Sequence, residues 1–75
     1  MKTTNQTSST QYGIEITMTD GNKKYERIQA PTLWLALSAA YCRQHDESQP
    51  TPASTALWEI DSAGYKVAHV KTYFA

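Results

Sequence analysis

Apolar and polar residues alternate without interruption along residues 12–19, YGIEITMT. The apolar positions are Tyr12, Ile14, Ile16 and Met18. A period of two residues predicts a β-strand that buries one face. The next segment, DGN at residues 20–22, tolerates a positive φ angle and is typical of a tight hairpin turn. We therefore expect the chain to reverse there and to pair with a second strand.

The second strand is predicted over KKYERIQA, residues 23–30. Ile28 and Ala30 fall on its core side, since apolar residues at alternate positions mark a buried face. The outward positions are Tyr25, Arg27 and Gln29. Lys23 and Lys24 indicate that the near end of this strand lies in solvent.

A helix is predicted from Leu33 to about Asp46. Pro31 ends the preceding strand, and the hydroxyl of Thr32 can accept a hydrogen bond from an amide of the first turn, as an N-cap residue does. A spacing of three and four residues defines the stripe that we assign to the sheet. Its members are Leu33, Ala36, Leu37, Ala40, Tyr41 and Gln44.

The predicted helix has more apolar residues than one buried stripe requires. Trp34 and Leu35 flank the stripe and cannot both point inward. One of them could fold under the loop at residues 48–55. Alternatively, the flank is exposed and is covered by a second copy or by a different protein, since tryptophan is favoured at the centre of protein interfaces. Trp34 and Leu35 are therefore the candidate contacts of a homodimer.

A second hairpin is predicted from ALWEID and YKVAHVKTYF, joined at residues 61–64. Gly64 can take the left-handed position that follows a type I turn in a loop of this length. The parity of the last strand is ambiguous, and a bulge near Ala68 and His69 would reconcile its apolar positions.

The first strand of this hairpin has apolar residues on both sides. Trp58 and Ile60 point to one side, and Leu57, Glu59 and Asp61 point to the other. We expect Glu59 to lie on the side of the sheet that faces away from the helix.

The predicted elements follow in the order strand, strand, helix, strand, strand. Two hairpins joined through a helix form one four-stranded antiparallel sheet with the helix on one face, an α+β fold. We predict a single ββαββ domain over residues 12–75, preceded by a disordered polar tail over residues 1–11. One helix covers one side of a sheet, so the other side faces water or a partner. That side is predicted to carry Glu15, Thr17, Tyr25, Arg27, Gln29 and Glu59, with Lys66 as a further candidate.

The composition bounds the classes of partner. The chain has 75 residues, seven lysines and arginines against seven aspartates and glutamates, and one cysteine. Zero net charge removes the usual electrostatic argument for nucleic acid or an anionic membrane, which depends on an excess of cations. The polar start is unlike a secretory signal, and the apolar run at residues 33–42 is about half the length of a membrane-spanning helix. We therefore expect a cytoplasmic protein.

Cys42, His45 and Asp46 fall at helical spacing and could converge on a metal ion, with His69 as a distant fourth ligand. The sequence has no second cysteine and no CxxC or HxxxH element, so a single structural thiol is the simpler interpretation. A Cys42–His45 nucleophile and base is disfavoured at a helix C-terminus, where the dipole opposes a thiolate. We predict no metal, no cofactor and no enzymatic activity.

The segment YERIQAPTLWLALSAAY, leading through the helix into ALWEIDSAGYKVAHV, resembles small phage and mobile-element proteins of the type I anti-CRISPR kind in the order of its elements. The resemblance covers residues 12–75. It implies a non-catalytic inhibitor that occupies the surface of a CRISPR surveillance complex and acts in the cytoplasm of the host cell.

We therefore predict that a host protein or ribonucleoprotein complex binds the uncovered side of the sheet. The predicted contact residues are Tyr25, Arg27 and Glu59 on that side, together with Lys23 and Lys24 at the end of the hairpin. One alternative is a nucleic-acid-binding accessory module that uses the same side. Another is a homodimeric structural module built on Trp34 and Leu35.

Direct nucleic-acid binding is placed below protein binding for two reasons. Tyr25 is the one aromatic residue that we place on the uncovered side, and base stacking needs exposed rings. The cations there are matched by Glu15, Glu26 and Glu59, which favours cross-strand ion pairs on a solvated surface.

Overall fold

The structure, a computed structural model of the chain, describes residues 10–75. In chain order its elements are β1 (Thr10–Thr17), β2 (Lys23–Ala30), α1 (Leu33–Gln44), β3 (Ser54–Ile60) and β4 (Lys66–Phe74). The predicted ββαββ architecture is confirmed. β1 begins at Thr10, ahead of the predicted domain start at Tyr12, and residues 1–9 of the predicted tail lie outside the described residues.

The four strands form one antiparallel sheet in the order β2-β1-β3-β4. Each hairpin contributes one central strand, β1 or β3, and one edge strand, β2 or β4. The hairpins meet where Ile14 pairs with Leu57 and Ile16 pairs with Thr55. α1 connects β2 to β3 across one face, so the sheet has a helix side and an open side.

Both hairpins turn in the same way. The amide of Gly21 donates to the carbonyl of Met18 at 3.0 Å, and the amide of Gly64 donates to the carbonyl of Asp61 at 2.9 Å. The φ angles of the two glycines are 91° and 94°, in the left-handed region that residues with a Cβ rarely adopt. A type I turn followed by such a glycine is a common hairpin loop, and the predictions for both turns are confirmed.

α1 begins at the predicted residue and ends at Gln44, short of the predicted Asp46. The hydroxyl of Thr32 accepts a hydrogen bond from the amide of Leu35 at 3.2 Å, which confirms Thr32 as the N-cap. Beyond the C-terminus, the carboxylate of Asp46 accepts from the amide and the hydroxyl of Ser48, at 2.9 and 2.6 Å. A side chain that binds nearby backbone in this way competes with the helix and helps to end it.

The core between α1 and the sheet combines branched strand residues with helix alanines. Ile14 is 2% exposed, and Ile16 and Leu57 are fully buried. Ala36 and Ala40 on the helix are also fully buried. Because alanine is small, the helix backbone lies close to the sheet, and the interior is too tightly packed for a much larger side chain.

The predicted helix stripe is wrong at two positions. Leu33 is 46% exposed and Tyr41 is 52% exposed, whereas Ala36, Ala40 and Gln44 are buried. The buried stripe is narrow because close contact through alanine leaves large side chains at its margins no space beneath the helix. Tyr41 instead packs edge-on against the ring of Tyr73 on β4, with ring centroids 5.5 Å apart.

A buried polar link fixes the end of the helix to the start of β3. The side-chain amide of Gln44 donates to the carbonyl of Pro52 at 2.8 Å, and its oxygen accepts from the hydroxyl of Thr55 at 2.8 Å. Gln44 and Thr55 are both fully buried. Burying these groups is tolerated because each finds a partner.

The structure corrects the predicted side of Glu59. Leu57 pairs with Ile14 in the core, and Glu59 pairs with Tyr12, so both lie on the helix side. Trp58 and Ile60 occupy the alternate positions of β3 and therefore lie on the open side. The alanine contact explains this choice, because the space beneath the helix accepts a leucine and would not accept an indole ring.

β4 contains two irregularities rather than the one predicted bulge. Its pairing with β3 shifts between Leu57 and Trp58 and again between Glu59 and Ile60. These shifts leave Val70 and Val67 without a one-to-one partner, on either side of the predicted position. They allow Tyr73 to face the helix while His69 and Lys66 face the open side.

Candidate functional site

The open side of the sheet brings together residues from all four strands. Its charged and aromatic members are Lys23, Tyr25 and Arg27 from β2, Glu15 from β1, Trp58 from β3, and Lys66, His69 and Phe74 from β4. Three of the five predicted contact residues therefore lie together. The other two do not, because Lys24 pairs with Ile16 and Glu59 pairs with Tyr12 on the helix side.

The predicted balance of charge on the open side is wrong. Glu26 pairs with Ile14 and, like Glu59, lies on the helix side. Within residues 10–75, Glu15 is then the one carboxylate that a strand contributes to the open side. The strands contribute three cations there, Lys23, Arg27 and Lys66. Three positive charges against one negative charge give this surface a net charge of +2.

Glu15 lies between two of these cations. The ammonium of Lys66 donates to one carboxylate oxygen at 3.1 Å, and the ammonium of Lys23 lies 3.9 Å from the other oxygen. Exposed ion pairs of this kind contribute little stability. Their effect here is to hold two long cationic side chains over the centre of the sheet.

Tyr25 lies across Gly13 on the open side. A Cβ atom added at Gly13 would overlap the hydroxyl and the Cζ atom of Tyr25. Glycine is therefore favoured at this position by the close approach of the ring and not by a left-handed backbone, and a larger residue would displace the end of the Tyr25 side chain. Tyr25 is nevertheless 44% exposed, so part of its ring remains accessible to a ligand.

Trp58 lies in the middle of the open side beneath two neighbours. The ammonium of Lys66 lies 4.7 Å from the centre of the indole ring, in a cation–π arrangement. The ring of His69 contacts Trp58 edge-on with centroids 5.0 Å apart. The indole Nε1 is buried and has no hydrogen-bond partner among the described residues.

Arg27 is held at the end of the sheet where the second hairpin turns. Its guanidinium donates to the side-chain oxygen of Gln11 at 2.9 Å and to the carbonyl of Ser62 at 3.4 Å. In that turn, one carboxylate oxygen of Asp61 accepts from the amides of Ala63 and Tyr65, at 3.0 and 2.9 Å. The guanidinium is therefore positioned by neutral acceptors and keeps its positive charge available.

The exposed side of α1, here called the outer helix surface, has no charged residue. It consists of the exposed helix residues Leu33, Trp34, Leu35, Ser38, Tyr41 and Cys42. Trp34 is 77% exposed and Leu35 is 55% exposed, so neither folds under the loop at residues 48–55. Helices on protein surfaces normally carry polar and charged residues on this side. Between Thr10 and Ala75, no helix is long and apolar enough to cross a membrane.

A groove of about 590 Å³ runs between the second half of α1 and β2. Ile14, Ile28 and Ala39 contribute apolar lining, and Cys42 and His45 line its helix wall. The ring of His45 packs on Tyr41 with centroids 4.4 Å apart. The lining also includes charged residues from both walls, namely Glu26, Arg43, Asp46 and Glu47.

Asp46 is occupied by the turn that follows the helix. The hydroxyl of Ser48 holds the pKa of this carboxyl below its ordinary value, and the amide of Ser48 and the charge of Arg43 act in the same direction. His69 lies on the open side of the sheet, away from the helix end. Within residues 10–75, no group of three or more histidine, cysteine and carboxylate side chains could hold a metal ion.

No protein-family model matches the chain. Comparison with curated proteins and with solved structures gives no match either. We therefore infer function from the geometry of the outer helix surface and of the open side.

Sequence reasoning did not select Trp58, Lys66 and His69 as candidate site residues. The sequence does show that Trp58 and its neighbour Leu57 point to opposite sides of β3. That alternation alone does not say which of two apolar sides is buried. Lys66 and His69 share a side because β4 has two bulges, whereas its apolar pattern predicted one.

Proposed function

We propose that this chain is a non-catalytic protein-binding domain, and that its outer helix surface inserts into an apolar pocket of a larger partner protein. The observation that carries the proposal is the uncharged, exposed surface around Trp34. An exposed tryptophan beside exposed aliphatic residues is the usual composition of an interface centre.

The first ten residues of the helix support the proposal. From Leu33 to Cys42 it contains no charged residue, yet its buried stripe uses only small side chains and Leu37. The fold itself therefore does not need Trp34 or Leu35. A helix that is apolar on all sides is normally covered on all sides.

A different protein fits this surface better than a second copy does. The exposed parts of Leu33, Trp34, Leu35 and Tyr41 amount to roughly 500 Å² on typical side-chain areas. A stable interface buries about 800 Å² on each partner. Two copies packed helix to helix would fall short of that area, whereas a concave partner can enclose Trp34 and also contact the neighbouring loop.

A narrower proposal is that the partner is a CRISPR surveillance complex of type I and that the protein inhibits it by occupying its surface. Its support is the resemblance in element order to mobile-element inhibitors. The protein would then act in the cytoplasm of a host cell, in proportion to its concentration and without turnover.

The test is direct binding to a purified type I surveillance complex, measured by biolayer interferometry with wild type, Trp34→Ala and Tyr65→Ala. Tyr65 is the matched control, because it is 72% exposed and lies on the second hairpin, away from the helix. We expect Trp34→Ala to weaken binding by about 30-fold or more, as truncation of an interface centre does, and Tyr65→Ala to change it less than about threefold.

Three results would contradict the proposal in different ways. Absence of binding by the wild type removes the narrower proposal. Equal losses for the two variants remove the outer helix surface as the contact. A concentration-dependent dimer in analytical ultracentrifugation, abolished by Trp34→Lys, replaces the partner protein with a second copy of this chain.

A further inference from the structure

The open side of the sheet has a chemistry different from that of the outer helix surface and carries a separate inference. It combines a net charge of +2 with four rings, those of Tyr25, Trp58, His69 and Phe74. Cations attract phosphates, and planar rings stack on bases. We propose that the open side binds single-stranded nucleic acid.

Two features of the sequence argued against nucleic-acid binding, the balance of charge and the single outward ring, and neither applies to the folded chain. Glu26 and Glu59 lie on the helix side and neutralise no cation of the open side. Trp58, His69 and Phe74 lie on the same side as Tyr25, so the open side carries rings on two further strands, β3 and β4. The helix side of the strands carries Lys24 and Lys71 with Glu26 and Glu59 and is neutral. The excess of positive charge on the strand residues of the open side is therefore hidden by the zero net charge of the whole chain.

The positions of the cations fit a phosphate backbone that crosses the sheet. Lys23 and Arg27 lie on edge strand β2, and Lys66 lies on the opposite edge strand β4. Three strand spacings separate the two edges, a distance of about 14 Å. In the free protein, Lys23 and Lys66 both contact Glu15 through exposed, weak ion pairs. Each lysine exchanges that ion pair for a phosphate when a nucleic-acid strand binds.

The rings favour a single strand over a duplex. Phe74 is 71% exposed and Tyr25 is 44% exposed, so both offer ring surface. A base can stack on such a ring only when it is free of its own duplex neighbours. A sheet of this width also lacks the helix or the two-stranded ribbon that enters a major groove.

The open side is the face of the sheet opposite to the helix, so this inference does not depend on the proposed protein partner. Loss of protein binding in Trp34→Ala would leave nucleic-acid binding intact. Conversely, loss of nucleic-acid binding in a sheet variant would leave the outer helix surface unchanged.

The test is fluorescence anisotropy with labelled single-stranded DNA and RNA of about 12 nucleotides and with the matching duplex, between about 50 and 200 mM salt. We expect micromolar affinity for the single strands, weaker binding to the duplex, and a plot of log K against log salt with a slope near −2. Three phosphate contacts at about −0.7 each give that slope.

Two neighbouring lysines on β2 provide a matched pair of variants. Lys23 lies on the open side and Lys24 on the helix side, and both are exposed. Lys23→Ala should make the salt slope shallower by about 0.7, while Lys24→Ala should leave it unchanged. Tyr25→Ala should weaken binding by about fivefold or more through lost stacking, and Tyr25→Phe should restore most of the affinity.

Circular dichroism of each variant establishes that the sheet is intact before its affinity is compared. The proposal is overturned if the single strands do not bind at the lowest salt. It is also overturned if Lys24→Ala and Lys23→Ala have equal effects, because binding would then follow total charge and not the open side. Tighter binding to the duplex than to the single strands would exclude base stacking and contradict it as well.

Discussion

The two tryptophans lie on opposite sides of the molecule and illustrate two kinds of surface. Trp34 is 77% exposed on a helix surface that has no charge. Trp58 is half-buried on the open side, in contact with Lys66 and His69 and beside a carboxylate that pairs with two lysines. The first surface is apolar and without neighbours that shield it, which suits insertion into a protein pocket. The second is charged and held in place by its own contacts, which suits a polyanion.

The largest expected effect is global unfolding, with the loss of both surfaces, when a residue of the core between the helix and the sheet is truncated. Leu57→Ala removes a fully buried side chain that packs between β1 and the helix. We expect a loss of about 2–5 kcal/mol in the free energy of unfolding, against a total of about 3–5 kcal/mol for a domain of this size. Thermal unfolding followed by circular dichroism should show a largely unfolded variant at room temperature.

Trp34→Ala is the control for this experiment, because it removes a larger side chain from an exposed site. It should change the free energy of unfolding by no more than about 0.5 kcal/mol. A destabilisation by Trp34→Ala as large as that by Leu57→Ala would mean that the outer helix surface is part of the core, and the contrast between the two tryptophans would fail.

A smaller loss of stability is expected when the polar link between the helix and the sheet is removed. Gln44→Leu keeps the side-chain volume but removes the bonds to the carbonyl of Pro52 and the hydroxyl of Thr55. We expect a loss of about 1–3 kcal/mol, the usual cost of leaving buried polar groups without partners. Chemical denaturation measures it, with Gln29→Leu on the exposed edge strand as the control. Equal losses for the two glutamines would show that the buried link contributes nothing.

A substitution at Gly13 should alter the open side with little change in stability. An alanine there must displace Tyr25, since its Cβ would overlap the tyrosine hydroxyl and Cζ. We expect weaker binding of single-stranded oligonucleotide in Gly13→Ala and an altered NMR signal of the Tyr25 ring. In a Tyr25→Ala background the same substitution should stabilise the strand by about 0.5–1 kcal/mol, as alanine does relative to glycine. An unchanged Tyr25 signal in Gly13→Ala would contradict the close approach of the two residues.

The smallest expected effect concerns the turn after the helix. Because Ser48 lowers the pKa of Asp46, Ser48→Ala should raise that pKa towards its ordinary value. In the wild type, a depressed pKa means that the ionised carboxylate favours the fold above the unfolded-state pKa, and that this contribution is lost as the pH falls through the folded-state pKa. An NMR titration of the Asp46 carboxyl carbon measures this pKa in the wild type and in Ser48→Ala. Identical titration curves would show that the hydrogen bond from the Ser48 hydroxyl does not form in solution, since alanine keeps the backbone amide that also donates to Asp46.

The sequence predicts the elements of this fold well and the sides of its last two strands poorly. Alternation in β1, the glycines at 21 and 64, and the Thr32 cap are local signals, because each depends on backbone geometry within a few residues. The side on which Glu59 lies depends on something else, the distance between the helix and the sheet. That distance is set by Ala36 and Ala40, which are remote in the sequence from β3.

In the candidate site, too, residues whose side is set by local alternation were predicted, and residues whose side is set by long-range packing were not. Tyr25 and Arg27 were placed correctly on the open side because they share the regular alternation of β2 with Ile28 and Ala30, whereas Lys23 was assigned only to the end of the hairpin. Trp58, Lys66 and His69 were not selected, since their side depends on the packing of β3 and on bulges in β4. The exposure of Trp34 and Leu35 was foreseen as one of two alternatives, and the narrow alanine stripe decides between them.

The most direct test of the separation between the two surfaces uses the tryptophans as reporters. Trp34→Phe leaves Trp58 as the single emitter on the open side, and Trp58→Phe leaves Trp34 as the single emitter on the helix. Acrylamide quenching of both variants is measured with and without the single-stranded oligonucleotide. We predict that the oligonucleotide changes the quenching of Trp58 and leaves that of Trp34 unaltered. A response confined to Trp34, or equal responses from both, would contradict the assignment of different partners to the two sides.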